Sequence, residues 1–137
     1  MRFMIIVKGN RDTEAGDMPD ESLIAAMADY HEELAKAGVL LDASGLKPTS
    51  KGARIKFSGG KRTWIDGPFT ESKEIIAGYT LIQVKTREEG IEWAKRFPSP
   101  HGRADGEIEI RQLYELEDFG PSEAIERFRE LRVAGEK

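Results

Sequence analysis

Two segments of this chain, "RFMIIVK" near the start and "IIAGYTLIQVK" further on, are apolar at alternate and at intervening positions alike. In an extended strand, Phe3, Ile5 and Val7 share one face and Met4 and Ile6 the other. In the second segment Ile75, Ala77, Tyr79 and Leu81 face one way, and Ile76, Ile82 and Val84 the other. Both faces of such strands need cover, because monomers rarely leave a contiguous apolar patch in water.

The rest of the chain supplies only part of that cover. "NRDTEAGDMPD" reads as a polar loop. Asp20 is placed to cap a helix running to about Ala37, with Gly38 as its stop. Leu23, Ile24, Met27, Tyr30, His31 and Leu34 form one stripe of that helix. "VLLDASGL" reads as a second strand, and "ARIKF" and "RTWID" flank a Gly59–Gly60 hairpin turn. After the long strand, a Thr86/Glu89 capping box opens a helix that turns Ile91, Ala94 and Phe97 inward. "EIEIRQL" alternates as a half-buried strand, and "SEAIERFRELRV" carries Ile125, Phe128 and Leu131 on one helical stripe.

This order predicts an α+β fold, a ferredoxin-like sheet with an inserted β-hairpin and an extra C-terminal helix. Two helices cover one face of such a sheet. The other face predicts a homodimer packed sheet on sheet, unless the C-terminal helix folds back over it.

Composition narrows the function. The formal charge is −4, which disfavours nucleic-acid binding, since neutralising phosphates takes a clustered basic surface. There is no cysteine, and His31 and His101 lack ligand-like spacing, so no transition-metal site is expected, which leaves only carboxylates for a hard cation; no cofactor is expected either. The first apolar run is too short to span a membrane and lacks a signal-peptide core, so a cytoplasmic protein is expected.

The stretch "DGPFTESKE" from Asp66 to Glu74 is the strongest candidate site. A two-residue turn at Gly59–Gly60 pairs Ile55 with Trp64, Phe57 with Arg62 and Ala53 with Asp66. Asp66 then shares a face with Ile55, Phe57 and Trp64, where desolvation of its carboxyl and the nearby Arg62 act in opposite directions. A three-residue loop would reverse the face. The purely structural alternative is that Asp66 accepts from its own following backbone, Pro68 fixes the turn and Phe69 plugs the core.

"WIDGPFTESKEIIAGYTLIQV" closely resembles the signature of the YCII-related proteins, in the branch marked by an Asp-Gly-Pro-Phe and then a Glu-x-Lys-Glu motif. "EELAKAGVLLDASGLKP", "EEGIEWAKRFP" and "IEIRQL" resemble the flanking segments of the same branch, in order. The resemblance implies a domain over 1–119, a helical extension over 120–137 and a dimeric α+β barrel. It implies a His–Asp pair, by analogy with small-molecule isomerases and lyases of similar architecture. The Asp maps onto Asp66. The His position corresponds to Met27 or Ala28, with His31 one turn further along.

Two readings follow. In the first, a small enzyme transfers a proton with Asp66, with His31 as the candidate partner, and Arg62, Trp64, Phe69, Glu71, Lys73 and Tyr79 bind its substrate. In the second, a non-catalytic dimer binds a ligand or a regulatory partner, which the resemblance links to alternative sigma factor systems.

Overall fold

The structure, a computed structural model, describes residues 1–71, 74–102 and 104–131. The elements run β1 (Arg2–Lys8), α1 (Arg11–Glu14), α2 (Glu21–Lys36), β2 (Leu40–Gly45), β3 (Ala53–Ser58) and β4 (Lys61–Asp66). They continue as β5 (Ile76–Gln83), α3 (Arg87–Lys95), β6 (Ile108–Gln112) and α4 (Glu123–Arg129), with short 3-10 turns at Thr49–Lys51 and Leu116–Phe119.

β1, β2, β5 and β6 form one antiparallel sheet in the order β2-β5-β1-β6. β1 reaches β2 through α2, and β5 reaches β6 through α3; each crossing leaves one antiparallel strand between the two it joins. This arrangement is consistent with a ferredoxin-like α+β fold. β3 and β4 stand apart as a two-stranded hairpin.

Register sets the core. Phe3 lies opposite Ile82, and Ile5 opposite both Thr80 and Ile110. Phe3, Ile5, Ile82 and Val84 meet Tyr30 and Leu34 of α2 together with Val39, and Trp93, Ala94 and Phe97 close the far side. α3 comes so near that a Cβ on Gly90 would lie 3.1 Å from the Phe3 ring. The Tyr30 hydroxyl donates to the Trp93 carbonyl at 2.6 Å, tying α2 to α3. Burial pushes the Tyr30 phenol up to about 12, so it stays a neutral donor.

Helix ends follow their local chemistry. Asp20 accepts from the Leu23 N–H at 2.9 Å, and that bond holds its carboxyl below the ordinary aspartate value. Gly38 takes φ 75 just past the end of α2. The stretch expected to be a polar loop instead contains α1. Asn10 and Thr13 cap each other reciprocally there, at 2.9 and 2.8 Å. The usual box ends on Glu or Gln, and here a threonine does that work.

The opposite sheet face carries Met4, Ile6, Tyr79 and Leu81. Polar contacts edge it: Tyr79 donates to Asp42 at 2.9 Å, and Lys8 and Arg111 both approach Glu109. α4 does not bury its stripe over this face, since Phe128 and Leu131 are 57% and 62% exposed. Likewise Ile24 on the α2 stripe is 44% exposed, whereas Leu34 is fully buried.

Leu34→Ala is therefore expected to cost about 2–5 kcal/mol in urea unfolding. Ile24→Ala should stay within about 1 kcal/mol, because most of that side chain already meets water. For Tyr30, a phenol raised above its unfolded value of 10.0 contributes stability in full below that pH. That contribution falls away as pH rises toward about 12, and Tyr30→Phe should remove this part of the alkaline destabilisation.

Candidate functional site

The hairpin supplies one side of the site. Gly59 and Gly60 take φ 55 and 75, the two positive values a tight two-residue turn requires. The register runs Ser58↔Lys61, Phe57↔Arg62, Ile55↔Trp64 and Ala53↔Asp66. Asp66 therefore shares a face with Trp64, Arg62, Phe57 and Ile55. The Trp64 Nε1–H donates to Asp66 Oδ1 at 2.8 Å, and the Arg62 guanidinium lies 5.0 Å from the Phe57 ring centre.

That face is open to water. Ile55, Phe57 and Trp64 are 50%, 68% and 65% exposed, and Asp66 is exposed with them. The expectation of a desolvated carboxyl on an apolar face fails for the chain alone, because among the described residues no other element lies over the hairpin to exclude water. Trp64 is likewise no part of the core.

The turn after Asp66 is held by other residues. The Gly67 N–H donates to the Gly52 carbonyl at 3.0 Å, and the Gly67–Pro68 peptide is cis. The Phe69 N–H donates to Thr49 Oγ1 at 3.0 Å. Thr49 in turn donates its N–H and hydroxyl to the two carboxylate oxygens of Glu14. The motif is thus anchored to α1 through a threonine at the start of a 3-10 turn. Asp66 takes no part, so the expected Asp-capped turn is not the one formed.

Gly67 is needed for space: a Cβ there would stand 1.8 Å from the Thr49 carbonyl oxygen. Phe69 is half-buried rather than a core plug. The Arg54 guanidinium lies 3.8 Å above its ring and 3.6 Å from the Glu71 carboxylate. Glu71 is thereby engaged in an exposed ion pair. Lys73 lies outside the described residues.

Two cavities flank the sheet. An open cleft of about 640 Å³ lies between the turn after β1, the motif residues Phe69 and Thr70, and the loop from His101 to Glu107. His101 donates from Nε2 to the Lys8 carbonyl at 2.9 Å, which fixes its ring at the cleft wall. Its place in a Pro/Gly-rich loop gave no sign of this. A smaller cavity of about 320 Å³ lies under α2, lined by His31, Met27, Phe97, Thr80 and the bare backbone of Gly45 and Gly78. His31 Nδ1 is 2.7 Å from the Met27 carbonyl, which can only accept, so Nδ1 carries the proton. In the neutral ring, Nε2 then accepts from the Thr80 hydroxyl at 2.9 Å.

His31 and Asp66 share neither a hydrogen bond nor a cavity. Tyr79 lies on the sheet with its hydroxyl on Asp42. Glu14 and Thr49, which set the position of Phe69, carried no signal in sequence, since 35 residues separate them. Among the described residues, no group of three or more His, Asp or Glu side chains is placed to hold a metal. No helix among them is long and apolar enough to cross a membrane.

Comparison with known proteins adds two findings. The sequence profile of the YCII-related domain matches residues 1–117. An uncharacterised protein of Rhizobium meliloti (strain 1021) is 29% identical over 94 residues, which is 69% of this chain and 75% of that protein.

Replacing Gly67 by Ala forces the motif away from Thr49. We expect a loss of about 1–3 kcal/mol in denaturant unfolding. The amide signal of Phe69 should shift in the NMR spectrum, because its bond to Thr49 is strained at the same time.

Proposed function

This chain belongs to the YCII-related family, and we propose that it is a homodimer of the Asp-Gly-Pro-Phe branch, acting on a small polar or aromatic compound by proton transfer at Asp66. One observation carries the reading: Asp66 is not spent on its own turn. Its side chain accepts one indole N–H, while the N–H groups of Gly67 and Phe69 go to Gly52 and Thr49. A carboxylate so engaged keeps lone pairs for a substrate proton. Trp64 would offer the substrate a flat wall, and Arg62 a cation on the same face.

A second subunit over this face and over the sheet's open face would complete a dimeric barrel. It would exclude water from Asp66, where electrostatic contacts are then worth more. Within one chain His31 is engaged with Thr80 and Met27, so the proposal rests the proton transfer on Asp66 and leaves His31 to shape its own cavity.

The cleft beside Phe69 favours a second reading, a ligand-binding dimer without catalysis, because Asp66 is not among its lining residues. A thermal-shift screen against a metabolite library separates the two. If the enzyme reading is right, a hit is turned over, and Asp66→Asn lowers turnover by about 100-fold or more while the hit still binds. Full turnover by Asp66→Asn would refute it. A hit that is never turned over, and whose shift is lost in Phe69→Ala, would establish the binding reading instead.

A further inference from the structure

Two clusters of exposed apolar side chains stand off the sheet. One is the hairpin face of Ile55, Phe57 and Trp64. The other lies near the C-terminus, where Tyr114 and Phe119 contact each other at 5.1 Å between ring centres and Phe128 and Leu131 follow along α4. Arg129 braces α4 against the preceding turn through Glu117 at 3.0 Å. Both clusters are exposed in the same chain, so neither covers the other.

Their charges are opposite. Residues 53–66 hold Arg54, Lys56, Lys61 and Arg62 against Asp66, a net +3. Residues 114–131 hold six acidic side chains against Arg127 and Arg129, a net −4. The nearby ion pairs reduce the contrast without removing it. Counting Glu71, bound to Arg54, leaves +2, and counting Arg2, bound to Glu115, leaves −3.

We propose that the hairpin face of one copy docks on the Tyr114–Leu131 segment of a second copy. Each chain carries both halves of the contact, so a two-fold arrangement makes it twice and leaves no half unpaired. Aromatic anchors within a charged rim are the usual composition of a protein interface. The charges steer the two surfaces together and set the orientation, which makes the contact sensitive to salt. The contact rests on the same second copy that the proposed function sets over the hairpin face, and adds which segment of that copy meets Ile55, Phe57 and Trp64.

The test is photocrosslinking from a benzoylphenylalanine in place of Phe57, in an equal mixture of ordinary and ¹⁵N-labelled full-length chains. Mixed-isotope crosslinks into the peptides spanning residues 114–131 are expected. Sedimentation of Phe128→Glu should show dimer dissociation constants at least about tenfold higher, as loss of a buried anchor implies. Raised salt should weaken the wild-type contact. Crosslinks to the open sheet face at Met4 or Leu81, crosslinks within one chain only, or a wild-type monomer would each overturn the proposal. The first of these would leave a sheet-face homodimer standing, and none bears on whether Asp66→Asn loses turnover.

Discussion

The pairing of β1 with β5 is the constraint on which the rest of the structure depends. Phe3 opposite Ile82 and Ile5 opposite Thr80 place the fully buried positions of both strands on one face. A slip of one residue would turn every one of these side chains to the other face. α2 and α3 have somewhere to bury Leu34, Tyr30 and Trp93 only in this register. The same pairing puts Thr80 beneath α2, where its hydroxyl reaches His31, and on the other edge of β5 the β2 strand sets Gly45 opposite Gly78, where the missing side chains open the smaller cavity.

The motif is built on a division of labour that its composition conceals. Gly67 admits the Thr49 carbonyl, Thr49 receives the Phe69 N–H, and Glu14 holds Thr49 from α1. These contacts do the holding that an aspartate at a turn ordinarily does for itself. Asp66 instead accepts from the Trp64 indole, at the water-exposed base of the hairpin. An acid that plays no part in its own turn is free for chemistry or recognition, and Phe69 forms the wall of the adjoining cleft.

Exposure is distributed unevenly and informatively. On the sheet's open face Ile6 is buried and Met4, Tyr79 and Leu81 are half-buried, so this face is drier than two-sided strands alone suggest. The hairpin and the C-terminal segment carry the more exposed aromatic rings, and they carry opposite charge. A chain that keeps Phe57, Trp64 and Phe128 in water has left apolar area unburied that contact with another surface would remove from solvent.

Much of the fold was legible in the sequence because it rests on local rules. Asp20 and Gly38 bound α2, Thr86 caps α3 by accepting the Glu89 N–H while the Glu89 carboxylate takes the Lys85 N–H instead of closing the box, and the Gly59–Gly60 turn sets the hairpin register through its own backbone geometry. Asp66 therefore fell on the Trp64 face as the turn required. The exceptions each have a physical cause. α1 was missed because a threonine completes its capping box, and Ile24 and Phe128 lie on apolar stripes that no neighbour among the described residues covers. Only the tertiary structure decided what surrounds the site: that Thr49 and Glu14 hold Phe69, that His101 is fixed at the cleft wall, and that His31 is bound to Thr80 rather than near Asp66. Periodicity and capping are read from neighbours a few residues apart, whereas these contacts span 20 to 93 residues and exist only once the strands have paired.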